Sequence, residues 1–249
     1  MAKKKLGILG GMGSRAASML FSKIVDYSPA TKDQDFIEIL LHNNSAIPDR
    51  TRAIVYQEES PLEEVLRSIK IFNENEVDVV ILACITSYYF YEEIKRHANA
   101  EILHPVKLMK EHLLNHYPDI RKAGVLATTG TLKTNLFQNE FQDSGIELVT
   151  LNPEDQENLF MRSVYMENGL KSSPISDTAV QLLFQTIPKL LNQHAEVIIG
   201  GCTEVQIVLK ENMLSVPYVD AMDVTAKEAI RVCYGLHEYS SPISIEHES

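Results

Sequence analysis

The sequence predicts an α/β protein of two pseudo-symmetric lobes, each built on a parallel sheet, with the active site in the cleft between them. Three observations lead there. Leu6-Gly7-Ile8-Leu9-Gly10-Gly11-Met12-Gly13-Ser14 is echoed by Ala123-Gly124-Val125-Leu126-Ala127-Thr128-Thr129-Gly130-Thr131, an offset of 117. Val77-Asp78-Val79-Val80-Ile81-Leu82-Ala83-Cys84 is echoed by Ala195-Glu196-Val197-Ile198-Ile199-Gly200-Gly201-Cys202, an offset of 118. Two weak matches at nearly one offset carry more weight than either alone. Between these anchors, strands and helices alternate, which is the pattern of a parallel sheet.

Each element follows from local pattern. Lys5–Leu9 is a short apolar strand running into a glycine turn, and Arg15–Tyr27 is helical. Asp35–Leu41 is the second strand. Ser60-Pro61-Leu62-Glu63 starts a helix, with Ser60 as cap, Pro61 in the first turn and Glu63 closing a capping box. That helix carries Leu62, Val65, Leu66, Ile69 and Phe72 on one face. Val77–Leu82 is dense in β-branched residues, as a strand covered on both faces requires. The second half repeats the order: strand Lys122–Ala127, helix Leu132–Asp143, strand Glu147–Thr150, and helix Pro153–Glu167 closed by Asn168-Gly169. Helix Ser176–Asn192, with a kink expected at Pro188, leads to strand Glu196–Ile199. After each matched cysteine come a helical stretch and a short strand, Ile102-Leu103-His104 and Pro217-Tyr218-Val219. Thr225–Tyr234 is a helix, and the residues after Glu238 are polar and expected to fray.

Composition narrows the function classes. The chain has 249 residues, a formal charge of −11 and 45% hydrophobic residues. That charge argues against a nucleic-acid partner, which needs a basic face. No apolar run approaches the roughly 18 residues of a membrane span, so no membrane partner is expected. The lysines at 3–5 precede a stretch too short and glycine-broken for an export signal, so a cytoplasmic location is expected. Three cysteines are too few for a disulfide framework, and no spacing suggests a metal site. Cys233 falls on an apolar stripe with Ala226, Ala229 and Ile230, where an inert core thiol is the reading. Gly7-x-x-Gly10-x-x-Gly13 is not the dinucleotide spacing, and the second strand ends Leu40-Leu41-His42-Asn43, without the acidic residue a ribose would need.

Cys84 and Cys202 read differently. In parallel α/β sheets ligands bind beyond the carboxyl ends of strands, and both cysteines lie there at matched positions. Facing lobes would bring one thiol to each side of a ligand. Inverting a chiral carbon requires removing a proton from one face and returning one to the other, and two fixed bases do so without moving. A thiol suits this because its ordinary pKa of roughly 8.5 is easily shifted. With no cofactor as electron sink, the carbanion needs hydrogen bonds at the carboxylate. Thr86, Ser87, Thr129, Thr131 and Thr203 could supply them.

These residues resemble the aspartate/glutamate racemase family, the cofactor-independent enzymes with two catalytic cysteines. The likeness covers the whole chain and rests on Gly7-Ile8-Leu9-Gly10-Gly11-Met12-Gly13, Asn43-Asn44-Ser45-Ala46-Ile47-Pro48-Asp49-Arg50-Thr51, Ala83-Cys84-Ile85-Thr86 and Gly201-Cys202-Thr203-Glu204. It implies two lobes, residues 1–102 with 213–249 returning to the first and 103–212 forming the second, and a homodimer acting on a small amino acid. It makes Cys84 and Cys202 the acid/base pair, places Arg50 and Lys171 on substrate carboxylates, lines the cleft with Met12, and puts Thr86 and Thr203 at the α-carboxylate. Glu204 could cap the following helix or tune Cys202; its charge would raise a neighbouring thiol pKa. Where the family usually has Cys-Asn-Thr-Ala-His, this chain has Cys84-Ile85-Thr86-Ser87-Tyr88, and Ser14 and Ser45 stand where proline is common. The expected activity is aspartate racemisation, with glutamate second. The alternatives are racemisation of another amino acid, a two-cysteine decarboxylase or cis–trans isomerase of dicarboxylates, and a non-catalytic amino-acid clamp.

Overall fold

The structure, a computed structural model, describes residues 3–237. Eight strands form two four-stranded sheets, all parallel. The first has the order β2-β1-β3-β4, from β1 (Leu6–Gly10), β2 (Ile39–Asn43), β3 (Val79–Leu82) and β4 (Glu101–Ile102). The second repeats it as β6-β5-β7-β8, from β5 (Lys122–Leu126), β6 (Glu147–Val149), β7 (Val197–Gly200) and β8 (Tyr218–Asp220). The duplication read from sequence is therefore a duplication of topology.

The helices are α1 (Ser14–Tyr27), α2 (Arg50–Tyr56), α3 (Leu62–Glu74), α4 (Tyr91–His97), α5 (Pro105–His116), α6 (Thr129–Lys133), α7 (Leu136–Phe141), α8 (Pro153–Asp155), α9 (Arg162–Tyr165), α10 (Asp177–Leu191), α11 (Val205–Val208) and α12 (Ala221–Tyr234). The two-residue period of strands explains how they are covered. Leu6, Ile8, Val79 and Ile81 of the first sheet join Ala123, Val125, Val197 and Ile199 of the second in one central core with α1, α5, α7 and α12. The alternate residues Leu9, Val80 and Leu82 pack outward on α3 and α4. Leu126 and Ile198 do the same on α10. Both sheets are thus apolar on both faces.

The last helix of each half crosses over. α5 follows β4 yet packs on α7, while α12 follows β8 yet packs on α1, and the two pack on each other. Tyr218–Asp220 hydrogen-bonds to β7 in the second sheet. The return to the first lobe therefore begins at Ala221, and the boundary expected at 213 moves past the strand that completes the second sheet.

Several boundaries shift for local reasons. The second strand begins at Ile39 because Asp33–Asp35 forms a 3-10 turn in which Asp35 accepts from the Thr31 hydroxyl. Ser60 Oγ accepts from the Leu62 N–H at 3.3 Å, but the cap of α3 is Pro61 and no reciprocal Glu63 bond forms. The helix expected over 132–143 breaks at Asn135, whose φ of 55° is left-handed, and becomes α6 and α7. Pro188 sits inside α10, which continues to Leu191. Helix 153–167 is interrupted by a π-helical turn, Gln156–Met161, a widening that often marks functional sites. The expectation for the residues after Glu238 lies outside the described residues. Among the described residues no helix is long and apolar enough to cross a membrane.

Candidate active site

Cys84 lies two residues past the end of β3 and Cys202 two past the end of β7, so the parallel topology delivers both to carboxyl ends of their sheets. Both thiols are free and buried, as is Cys233 in α12. Cys84 and Cys202 line one cavity, together with Arg50, Lys171, Glu204, Tyr165 and Ile85, and with Thr51, Thr86, Thr128 and Thr203. Its free space is about 10 Å³, room for about one water molecule and far less than an amino acid. Cys233 faces the central core instead.

The two cations enter from different halves. Asp49 caps α2, its Oδ1 accepting from the Arg52 N–H at 2.9 Å, and so places Arg50 in the first turn with its side chain turned inward. Arg50 donates from Nη2 to the Met12 carbonyl at 2.5 Å and from Nη1 to the Pro48 carbonyl at 2.9 Å. Its Nε finds no acceptor among the described residues. Burial opposes its charge, but Cys84, Asp49 and a hydrogen bond to Cys84 outweigh that and raise its pKa. Lys171 donates to the same Met12 carbonyl and to Glu204 Oε1, each at 2.9 Å. Its ammonium lies 5.5 Å from the Tyr165 ring centroid. Here too burial works against the charge, and Glu204, then Tyr165, reverse it and raise the pKa. The Gly11 backbone, at φ +89° and against Asn44, makes the turn that presents this carbonyl; a side chain there would collide with the Asn44 backbone.

Around Cys202 the arrangement is a short chain of donors onto one carboxylate. Glu204, 2% exposed, accepts from Cys202 Sγ at 3.0 Å, from Thr203 Oγ1 at 3.1 Å and from Lys171. Burial would raise the Glu204 pKa, but Lys171 and these hydrogen bonds lower it, so it is ionised. Burial, then the Glu204 charge, push the Cys202 thiol well up. Cys202 therefore holds its proton. Cys84 has the opposite neighbour, a guanidinium.

The threonines stitch the lobes together. Thr86 Oγ1 lies 2.9 Å from both Thr128 Oγ1 and Thr131 Oγ1, and Thr128 caps α6. α6 can approach this closely because residue 130 is glycine: a Cβ there would stand 2.8 Å from Thr51 Oγ1 and 2.9 Å from Thr51 Cα. Of the residues expected in the site, Cys84, Cys202, Arg50, Lys171, Thr86, Thr203 and Glu204 line the cavity. Four stand back from it. Met12 contributes its carbonyl while its side chain is buried in the core. Thr131 supports Thr86, Ser87 donates to the Cys84 carbonyl at 2.6 Å, and Thr129 donates to Glu157 at 2.6 Å on the far side of the wall. Tyr88 does not reach the cavity; its hydroxyl bridges Leu82 N–H and the Leu103 carbonyl. Sequence reasoning missed Asp49, Thr51, Thr128 and Tyr165. Asp49 and Thr128 carry a readable signal, a capping residue directly before a helix. Tyr165 carries none, since its partner Asp49 is 116 residues away. Among the described residues no group of three or more His, Cys, Asp or Glu side chains could hold a metal ion.

Comparison with known proteins gives the family and the fold. The family model described as Asp/Glu/hydantoin racemase matches residues 9–229. The chain is 26% identical over 231 residues to a broad-specificity amino-acid racemase, RacX, of Bacillus subtilis, covering 90% of this chain and 96% of the relative. It superposes on an aspartate racemase of Picrophilus torridus with a TM-score of 0.79 at 25% identity, covering 93% of this chain and 94% of the other. A Francisella tularensis glutamate racemase solved with D-glutamate shares the fold at a TM-score of 0.69 and 15% identity, over 97% of this chain and 86% of the other.

Proposed function

The chain belongs to the Asp/Glu/hydantoin racemase family, an amino-acid racemase by that membership, and from this premise we propose that it interconverts L- and D-aspartate without a cofactor, by proton transfer between Cys84 and Cys202. Glutamate is the second substrate in this reading. The observation that carries it is one narrow cavity lined by the two repeat-related thiols and by two cations, the buried Arg50 and the half-buried Lys171.

The roles follow from the neighbours. Burial and the Glu204 charge make Cys202 keep its proton, so it is the acid in the first half of a cycle and Cys84, beside Arg50, is the base. The Cys84 thiolate removes the Cα proton from one face, and the Cys202 S–H delivers its proton to the other. The enzyme then carries a Cys84 thiol and a Cys202 thiolate, the state from which the enantiomer is consumed. Lys171 is the cation that stabilises that second thiolate. Arg50 and Lys171 attract the two carboxylates of aspartate, Arg50 with its unsatisfied Nε and the bidentate geometry that a guanidinium offers. The Thr86, Thr128 and Thr203 hydroxyls donate to the α-carboxylate as the carbanion develops. A homodimer in the cytoplasm belongs to the same proposal, and sedimentation velocity reads the assembly.

The test is incubation with L-aspartate in deuterated water, followed by NMR and circular dichroism. Deuterium enters Cα as the ellipticity decays to zero. Cys84→Ala and Cys202→Ala each lower the rate by about 10²–10⁴-fold, the range for one acid/base group. No exchange with aspartate, glutamate or a wider amino-acid panel overturns the reading. Carbon dioxide release, or fumarate formed from maleate, replaces it with the decarboxylase or isomerase reading.

A further inference from the structure

The cysteine cavity has only about 10 Å³ of free space, and it shares part of its wall with a larger pocket. Thr51 and Tyr165 line it from inside, and the same two residues line a second, open pocket of about 360 Å³. The rest of that pocket is built by Arg52, Tyr56, Arg162 and Met161, among others. Tyr56 and Tyr165 are exposed aromatic side chains. Arg52 is neutralised by Glu58 at 2.6 Å. Arg162 is exposed, and no ion pair or side-chain hydrogen bond of its guanidinium is found among the described residues. Glu157 also lines this pocket, its carboxylate held by the Thr129 hydroxyl at 2.6 Å, so of the pocket's charged side chains Arg162 alone has no ion-pair or hydrogen-bond partner among the described residues, directly outside the narrow cysteine cavity.

We propose that this pocket is the entry subsite for the substrate, where Arg162 captures a carboxylate of a small anionic amino acid before Tyr165 admits it to the cysteines. Tyr165 is the gate. Its hydroxyl donates to Asp49 Oδ2 at 2.9 Å, joining α9 of the second half to the cap of α2 in the first, and its ring covers Lys171. Releasing that one hydrogen bond and turning the ring joins the 360 Å³ pocket to the cysteine cavity and uncovers the Lys171 ammonium. Asp49 keeps its helix-capping bond through Oδ1, so the gate opens without unwinding α2. The ligand class rests on the proposed racemase reading; the gate and the capture site rest on geometry alone.

Cysteine alkylation tests both without relying on turnover. Full-length protein is treated with iodoacetate, a small carboxylate, or with neutral iodoacetamide, and labelling at each cysteine is followed by peptide mass spectrometry. Cys233, buried in the central core, is the internal control. Tyr165→Phe raises labelling of Cys84 and Cys202 by about 5-fold with either reagent, the ratio one hydrogen bond typically carries, and leaves Cys233 unchanged. Arg162→Ala lowers the iodoacetate-to-iodoacetamide ratio at Cys84 by about 3-fold or more at low ionic strength, and added salt erases the difference. In turnover, Arg162→Ala raises KM for aspartate with kcat retained. Equal acceleration at all three cysteines in Tyr165→Phe, or an unchanged reagent ratio in Arg162→Ala, overturns the proposal. Should the labelling behave as stated while no amino acid is racemised, the entry subsite stands and the function assigned to the cavity falls.

Discussion

Replacing Lys171 with methionine isolates the strongest electrostatic interaction in the site. The ammonium and Glu204 Oε1 are 2.9 Å apart, and the two side chains are 24% and 3% exposed. At that distance the bare attraction is about 6 kcal/mol for an effective dielectric near 20. Desolvation cancels much of it in the intact pair, but removing one partner leaves the other charge buried, which typically costs about 3–5 kcal/mol. Glu204 retains the Cys202 and Thr203 donors, and Arg50 still serves the Met12 carbonyl. The lower end, about 3 kcal/mol, is therefore expected. Urea unfolding followed by circular dichroism should show a midpoint about 1 M lower, given the slopes usual for domains of this size. The pH dependence has a definite sign. Glu204 is depressed below its ordinary 4.5 in the native protein, so its contribution is present above that value and is lost as pH falls through the native pKa. Without Lys171, burial raises the native pKa instead, and protonation relieves the stranded charge. The gap between variant and native protein thus narrows on acidification toward pH 4. Adding Glu204→Gln removes the stranded charge and recovers most of the loss, a coupling of about 2 kcal/mol or more. Equal midpoints for Lys171→Met and native protein at pH 7, or strict additivity in the double variant, would refute the reasoning.

Three further outcomes follow from the same geometry. Glu204→Gln alone removes the carboxylate that, after burial, most raises the Cys202 pKa; the limb of the kcat/KM profile that reports Cys202 as acid moves to lower pH, and an unmoved limb removes Glu204 from that role. Gly130→Ala pushes a methyl against Thr51 Oγ1 and Cα, at 2.8 and 2.9 Å, and lowers stability by about 1–3 kcal/mol as overpacking does, read as a lower melting temperature. Asp223 is buried; burial opposes its charge, but Lys23, Lys227 and hydrogen bonds bring its pKa down from 3.8 to about 2. Its stabilisation, about 2 kcal/mol by linkage, is present above pH 3.8 and disappears as pH falls toward 2; in Asp223→Asn the acid transition should lose that component.

What the chain reveals before folding divides along a physical line. Topology was legible because parallel α/β sheets write themselves locally: apolar strands, glycine turns and amphipathic helices recur at a fixed offset, and Cys84 and Cys202 fall at the same place in each copy. Interactions within one turn were also within reach, and Asp49 and Thr128 show how a capping residue announces both a helix and what the helix presents. Three kinds of information were not local. The crossing of α5 and α12 depends on which exposed faces pair after the sheets form, and although Pro217-Tyr218-Val219 reads as a strand, the point at which the chain returns to the first half after it is not written in 213–220. The left-handed Asn135 splits an otherwise helical pattern through one torsion angle. Tyr165 acquires its role only from Asp49, across the whole intervening sheet, and Met12 acts through a carbonyl that any residue would have carried.

The duplicated thiols are equivalent by position and opposite by environment, and that difference is what a two-base reaction requires. A symmetric site would give both sulfurs the same affinity for a proton, and the productive state with one thiol and one thiolate would compete with states holding two protons or none. Here the helix that follows β2 sets a guanidinium beside Cys84, while the residue two places after Cys202 sets a carboxylate beside it. Lys171 acts against that carboxylate, lowering the Cys202 pKa where burial and Glu204 raise it. On this argument the Lys171–Glu204 pair sets the balance between the two directions of the proposed reaction. Exchanging Glu204 for glutamine should change the two initial rates, from L- and from D-aspartate, by different factors as pH is varied, while their ratio of kcat/KM values stays fixed by the equilibrium between enantiomers. Identical pH profiles of kcat in both directions, before and after that exchange, would remove the asymmetry from the mechanism.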